Sequence, residues 1–361
     1  MRVAMLSDFP APGTLPYGGP QIAATRLVPE LVKRGVDVVV VAPAPWTSAE
    51  AEFELEGGGT LVVVPIGKRL QLAHGMRGWR RGARAAVERL KVDVVHGQNL
   101  LPGGIAAADI DGVPRVLTSR GNMREDTAGD YTGFGGAVRA HLRERLARVA
   151  FESADVVVSV NPDWKINLPA RPKRFEFIPN IVDEDFFARA HDAEPGHVLF
   201  AGGDNAIKGW DLLEEAWPRV REAVPEACLD VLGWRGDDRP NIGESVRFEG
   251  WVSSRELADR MARASALVIA SEFEVSPTVL AEAWAVGLPV VATAVGGIPA
   301  LATDAAVLVE RTPDALAEGL VATLSGGERM ERLVAEATRR AERHRATAVA
   351  AAHTQLYEEL R

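Results

Sequence analysis

What most constrains this chain is the regular return of short β-branched apolar runs separated by segments of helical length. In the first half such runs fall at residues 3–6, 36–41, 61–64, 92–96, 115–118 and 155–160, with helix-length segments at 21–33, 77–90 and 137–152. Most runs are apolar at successive positions rather than at every second one, as in strands buried on both faces of a parallel sheet. The pattern breaks at Ile178-Pro179-Asn180-Ile181-Val182-Asp183 and the polar stretch through Gly196. It then restarts, with strands expected at 197–201, 228–232, 246–248, 266–270 and 289–293. Helices are expected at 210–222, 253–263, 278–286 and 313–324, and over most of 328–361. Repeated strand, crossover helix and parallel strand make two doubly wound α/β domains with a helical C-terminal tail. Ligands in such sheets lie outside the carboxyl ends of the strands, so the loops there are where chemistry is sought.

At 361 residues the chain is long enough for two domains, each with its own core. One cysteine, Cys228, excludes an intramolecular disulfide and a thiolate zinc cage, which suits a reducing cytosol. The first residues lack signal-peptide order, and no apolar run reaches the roughly 18 residues of a membrane span. A cytoplasmic protein is expected.

The net charge of −9 is uneven: residues 1–190 hold 24 Lys and Arg against 22 Asp and Glu, and residues 191–361 hold 17 against 28. Between 68 and 91, Lys68, Arg69, Arg77, Arg80, Arg81, Arg84, Arg89 and Lys91 face only Glu88, with Trp79 among them. This stretch is either a peripheral docking surface for anionic membrane or a solvated face. Overall acidity argues against nucleic acid.

Two loops attract attention. Pro16-Tyr17-Gly18-Gly19-Pro20-Gln21 follows the first strand and enters a helix, where backbone N–H groups can approach an anion. In Ser271-Glu272-Phe273-Glu274-Val275-Ser276-Pro277-Thr278-Val279-Leu280-Ala281-Glu282, Glu274 belongs to the loop and Glu282 to the helix that begins near Pro277. Between them the helix start and the hydroxyls of Ser276 and Thr278 form a plausible diphosphate seat. Taken alone, Glu282 is equally compatible with a solvated helix position.

The E-x7-E spacing of Glu274 and Glu282, followed by Gly287-Leu288-Pro289-Val290-Val291 and Gly296-Gly297-Ile298-Pro299, resembles the donor-site signature of family 4 retaining glycosyltransferases. Gly18-Gly19, Asp93-Val94-Val95-His96, Ser153-Ala154-Asp155, Ile178-Pro179-Asn180, Gly202-Gly203, Lys208-Gly209 and Phe248-Glu249-Gly250 occur in family order, over nearly the whole length. The resemblance implies the GT-B fold, two Rossmann-like doubly wound domains facing a central cleft. Residues 1–185 would bind the acceptor, 186–345 the sugar nucleotide, and 346–361 would form a helix returning to the first domain, with a hinge in 179–196. By the same resemblance, Glu282 would bind ribose hydroxyls and Glu274 the donor sugar. Lys208, Gly18 and Gly19, and the amides of Val279 and Leu280 would meet the phosphates. Independently of the resemblance, Trp234 and Trp251 follow strands of the second half and either border the base or belong to core and surface like the other tryptophans. The transfer would be retaining, with no metal and no cofactor beyond the nucleoside-diphosphate sugar, UDP being the commonest in the family.

The sequence departs from the family at three points. Where relatives carry an Arg near Lys208, this chain has Gly203 and Ile207, leaving Arg235 and Arg120 as substitute cations. Arg120 stands where many relatives have a His. It suits a phosphate or acidic sugar held bidentately and cannot act as a base at neutral pH, which leaves His96 as the candidate base. Ala300 replaces a common Glu. Two other readings fit the same residues: a sugar-nucleotide epimerase on this fold, and an inactive partner subunit. The acceptor, whether small molecule, glycolipid or polysaccharide, is not legible.

Overall fold

A computed structural model describes residues 1–16, 19–67, 76–121, 133–166, 168–236, 240 and 242–361, with the backbone alone at 133–135. Gly18, Lys68 and Arg69 lie outside the described residues. The chain divides into two compact units, Met1–Ile181 with Ala346–Arg361, and Val182–Arg345.

The first unit holds β1 (Arg2–Leu6), β2 (Asp37–Ala44), β3 (Ala51–Glu54), β4 (Thr60–Pro65), β5 (Val94–Gly97), β6 (Arg115–Ser119), β7 (Val156–Ser159) and β8 (Phe175–Phe177). Their order across the sheet is β3-β4-β2-β1-β5-β6-β7-β8, parallel except for the β3–β4 pair. Both faces are covered, which is why the strands read as unbroken apolar runs. Val3 and Met5 pack with Ala24, Leu27, Val28 and Leu31 of α1 (Gly19–Lys33), whereas Ala4 and Leu6 point to the other face. There they meet Trp79, Ala83, Ala86 and Val87 of α2 (Arg77–Leu90), one stripe of an amphipathic helix. The largest helix of this unit is α3 (Gly133–Ser153).

The outer face of α2 is less cationic than its sequence suggests. Arg80 binds Asp109, Arg84 Nε lies 2.7 Å from Glu88, and Arg89 is paired with Glu50 and Glu52. Among the described residues no helix is long and apolar enough to cross a membrane.

The second unit contains β9 (His197–Phe200), β10 (Cys228–Val231), β11 (Val246–Phe248), β12 (Ala266–Ile269), β13 (Val290–Thr293) and β14 (Val307–Val309). They form a parallel sheet in the order β11-β10-β9-β12-β13-β14. Its longer helices are α4 (Trp210–Ala223), α5 (Ser254–Arg263), α6 (Thr278–Val286), α7 (Pro313–Leu324) and α8 (Glu328–Ala341). The strand order reverses between β9 and β12 here, and between β1 and β5 in the first unit. These are the switch points at which doubly wound sheets bind ligands.

At the C-terminus α8 ends at Ala341, Glu342–His344 forms a tight turn, and α9 (Ala346–Leu360) starts after Arg345 turns extended at ψ 139°. The break occurs because the backbone pairs with the other crossing segment, Val182 N–H donating to His344 O at 2.9 Å. Arg345 fastens it, pairing with Glu342 and Glu184 and covering the Phe187 ring at 3.9 Å. Part of 179–196, where a hinge is expected, is held by hydrogen bonds. Asp183 caps Glu184–Phe187, and Asp192 and Glu194 donate their amides to Ala262 and Arg263, so this stretch is fastened to the second unit. α9 packs on α1 in the first unit, where Val349, Ala350, Leu356 and Tyr357 join its core.

Candidate functional site

At the switch point of the second unit two loops leave neighbouring strand ends, 201–209 after β9 and 270–277 after β12. Gly209, at φ +75°, lets them touch: a Cβ there would lie 2.0 Å from Ala270 O, so no other residue fits without moving the backbone. Just before it, Asn205 accepts the Ile207 amide at 3.2 Å, closing the turn Ala206–Lys208. The Ile207 carbonyl in turn accepts the Glu272 amide at 2.8 Å.

This backbone lattice brings together two residues 66 positions apart. Lys208 Nζ donates to Glu274 Oε1 at 2.7 Å, and Ser271 Oγ donates to the same oxygen at 2.8 Å. The Glu274 side chain is 11% exposed and that of Lys208 35%, so the pair is accessible yet largely screened from bulk water. The Glu274 backbone is clasped as well: its carbonyl accepts from Gly297 N–H at 2.7 Å, and a Cβ on Gly296 would stand 2.3 Å from it. Ser271 is held through its carbonyl, which accepts from Thr293 Oγ1 at 2.8 Å. Sequence reading did not single out Ser271. Its one signal was a hydroxyl directly after a strand.

α6 begins at Thr278 behind Pro277, and no side chain caps it. Ser276 is half-buried and Thr278 exposed at this helix start. Of the two amides expected to face phosphate, that of Leu280 already donates to Pro277 O at 3.2 Å, and Leu280 is buried; Val279 is half-buried. Glu282 is 8% exposed one turn in, which excludes the solvated-face alternative. Gly203 is buried at φ +57°, and Arg235 is exposed in the loop after β10. Trp251 is 78% exposed beyond β11. The structure thus joins Lys208 and Glu274 directly and sets Ser276, Thr278, Val279 and Glu282 on the following backbone. It shows no contact joining Arg235 or Trp251 to them.

In the first unit Gly19 opens α1. His96 at the end of β5 is fully buried, with Nδ1 2.6 Å from Tyr357 Oη and Nε2 2.7 Å from Thr118 Oγ1. Burial, with smaller contributions from His353 and Arg120, pushes its pKa well below the usual histidine value. With both ring nitrogens engaged and no exposure, His96 is a structural node of the core, and its assignment as a base in an open site is corrected. Arg120, just past β6, donates from Nη1 to Asn180 Oδ1 at 2.5 Å and from Nη2 to Gln98 Oε1 at 2.8 Å. Burial lowers its pKa to about 10, so it stays charged at neutral pH.

Residues 17–186 match a family model described as Glycosyltransferase Family 4, and residues 195–326 one described as Glycosyl transferases group 1. A D-inositol 3-phosphate glycosyltransferase of Xylanimonas cellulosilytica is 29% identical, the match covering 93% of this chain and 91% of that protein. The phosphatidyl-myo-inositol mannosyltransferase of Mycobacterium tuberculosis is 28% identical, over 99% of this chain and 97% of the relative. In fold, the sucrose-phosphate synthase of Thermosynechococcus elongatus superposes with a TM-score of 0.77 at 19% identity, covering 99% and 98% of the two chains. HepE of Anabaena, in complex with UDP, superposes with a TM-score of 0.73 at 14% identity over 100% of both.

Proposed function

The chain belongs to the family 4 glycosyltransferases and has the GT-B fold, and from that membership we propose that it moves a sugar, with retention and without a metal, from a UDP-linked donor to an acceptor hydroxyl. The observation that carries this reading is the contact of Lys208, Glu274 and Ser271 at the switch point of the second unit.

In the proposed step the bond between the sugar C1 and the diphosphate oxygen breaks, and negative charge develops on the departing nucleoside diphosphate. The acceptor oxygen bonds to C1 on the same face, and its proton passes to the leaving phosphate oxygen. A fixed cation and fixed donors stabilise the developing charge more in a screened site than in water. Lys208 supplies the cation and the uncapped start of α6 the dipole. Glu274, fastened at backbone and side chain, accepts hydroxyls of the donor sugar. Glu282, as a carboxylate, offers acceptors to both ribose hydroxyls. Without a donor, Glu274 is the counter-ion that keeps Lys208 in place.

The UDP preference draws on the complex of the fold neighbour HepE. The relatives' names direct the acceptor screen first to inositol phosphates, free or lipid-borne. A thermal-shift panel of UDP, GDP, ADP and dTDP, with and without divalent metal, tests the reading on wild type and Glu282→Ala. The expected result is stabilisation by UDP that needs no metal and disappears in Glu282→Ala. No stabilisation by any nucleotide overturns it and favours an inactive partner subunit. The anomeric configuration of the product, read by NMR, tests retention.

A further inference from the structure

Two buried polar atoms of the first unit, one a donor and one an acceptor, belong to side chains that line one small cavity. Arg120 uses Nη1 on Asn180 and Nη2 on Gln98, and its Nε–H, shielded from solvent, has no acceptor among the described residues. His353 of α9 is 2% exposed, and its Nε2 is likewise without a partner among them. The contacts of His353 fix its tautomer. Its Nδ1 lies 3.1 Å from the carbonyl oxygen of Val349, which can only accept, so Nδ1 carries the proton. Burial lowers its pKa to about 4, so at neutral pH the ring is uncharged and Nε2 presents a lone pair. The Val349 bond and stacking on His96, with ring centroids 5.4 Å apart, hold the ring in place.

The cavity has the size of one water molecule. Leu27 of α1, Ile178, Ile181 and Val349 wall it with apolar side chains, and about 10 Å³ is open to the centre of a water, room for one. A buried N–H and a buried ring nitrogen each forfeit on folding the hydrogen bond they make to water in the unfolded chain, unless the native state replaces it. Only a species that both accepts and donates satisfies the two together. A halide cannot donate to Nε2, a metal ion cannot accept from an N–H, and an organic ligand does not fit. We propose that one ordered water molecule is built into this cavity, accepting from Arg120 Nε–H and donating to His353 Nε2, and that through it Arg120 fastens α9 to the carboxyl end of β6. The same guanidinium holds Asn180, so one side chain secures both segments of the first unit that continue into the second, 178–181 and 346–360.

A crystal structure of the full chain, at a resolution that shows ordered water, tests the site directly. One peak roughly 2.7–3.2 Å from both Arg120 Nε and His353 Nε2 is expected. A dry cavity, a direct bond between the two side chains, or a peak that bromide replaces on soaking overturns the proposal. The link is read separately by urea denaturation at neutral pH, where His353 is uncharged and no charge–charge repulsion couples it to Arg120. Arg120→Met and His353→Phe are each expected to lower the folding equilibrium constant at least about fivefold. The double variant should lose about fivefold less than the product of the two, because the water that joins them can be lost only once. Losses that simply multiply overturn the link. If Arg120→Met does not fold, His353→Phe is compared with His353→Gln, whose amide oxygen keeps an acceptor for the water. Phe is then expected to speed hydrogen exchange of the α9 amides about tenfold, leaving those of the second unit unchanged, and Gln to keep α9 near wild type. Equal exchange in the two variants overturns the link. Neither measurement needs a substrate.

Discussion

A Cβ placed on Gly203 would stand 2.3 Å from the carbonyl oxygen of Gly233. The loops after β9 and β10 therefore meet backbone to backbone, at φ +57° and φ +86°; Gly203 cannot take a side chain without moving Gly233, whereas a Cβ on Gly233 would find ordinary contact at 3.7 Å and is opposed only by its left-handed φ. An arginine at this position is excluded for a steric reason. Gly203→Arg is expected to destabilise the second unit by at least about 2 kcal/mol through overpacking and left-handed strain. Ile207, 53% exposed next to Lys208, has room. Ile207→Arg should keep the urea midpoint of wild type and tighten UDP about tenfold, one charge-assisted hydrogen bond. Calorimetric titration of both variants checks this.

Lys208 and Glu274 bind each other, and in the proposed transfer they act on different parts of the donor. Lys208→Met should lower the turnover rate by about 100- to 1000-fold, the scale of losing one charge-stabilising donor. Glu274→Gln should lower turnover too, but it frees the ammonium from its counter-ion. UDP, which has no sugar for Glu274 to hold, is then expected to bind Glu274→Gln at least as tightly as wild type. Weaker UDP binding in that variant would assign Glu274 to the nucleotide.

The buried histidines make stability depend on pH. Burial lowers His353 to about 4, whereas in the unfolded chain it titrates near its ordinary value of 6.5. Below about 6.5 the unfolded state binds the proton that the folded state refuses, so stability present at pH 7 is lost as the pH falls toward 4. For His353 alone the loss between pH 7 and pH 5 is about 2 kcal/mol, and His96 adds in the same direction. Urea denaturation at the two pH values should show it, with a shallower dependence in His353→Gln.

Asp230, buried on β10, accepts from Arg247 Nε at 2.9 Å and lies 2.8 Å from His197 Nε2. Burial would raise its pKa, but His197 and Arg247 together outweigh this and lower it. Its contribution is therefore present above the ordinary carboxylate range and lost as pH falls through the lowered value. Asp230→Ala is expected to cost about 2 kcal/mol, the worth of a buried hydrogen bond to a charged group. Chemical denaturation at neutral pH measures it.

The layered α/β plan was legible because strands covered on both faces leave an unbroken apolar signature, as at Val38 to Val41. The strands β3, β8 and β14 left none. Ala51–Glu54 alternates half-buried and exposed positions in an edge hairpin, and the other two are three residues long. At the site, spacing identified Glu274, Glu282 and Lys208, but not that Lys208 and Glu274 touch, because that contact depends on where two loops cross. For the same reason His96 read as an open-site residue: the tyrosine that takes its ring nitrogen lies 261 positions away. Nor could the sequence tell that Gly203 is glycine because Gly233 is opposite it.

The helix Ala346–Leu360 supplies Val349, Leu356 and Tyr357 to the core that also contains Val3 and Met5. During synthesis the second unit, Val182–Arg345, emerges whole before that core is complete. The first unit to leave the ribosome is thus the last to close, and a chain stopped at Arg345 would carry a finished second unit beside a first unit with an open apolar groove along α1. Damage to the last fifteen residues should accordingly be felt in residues encoded at the opposite end, as early exposure of α1 to proteolysis.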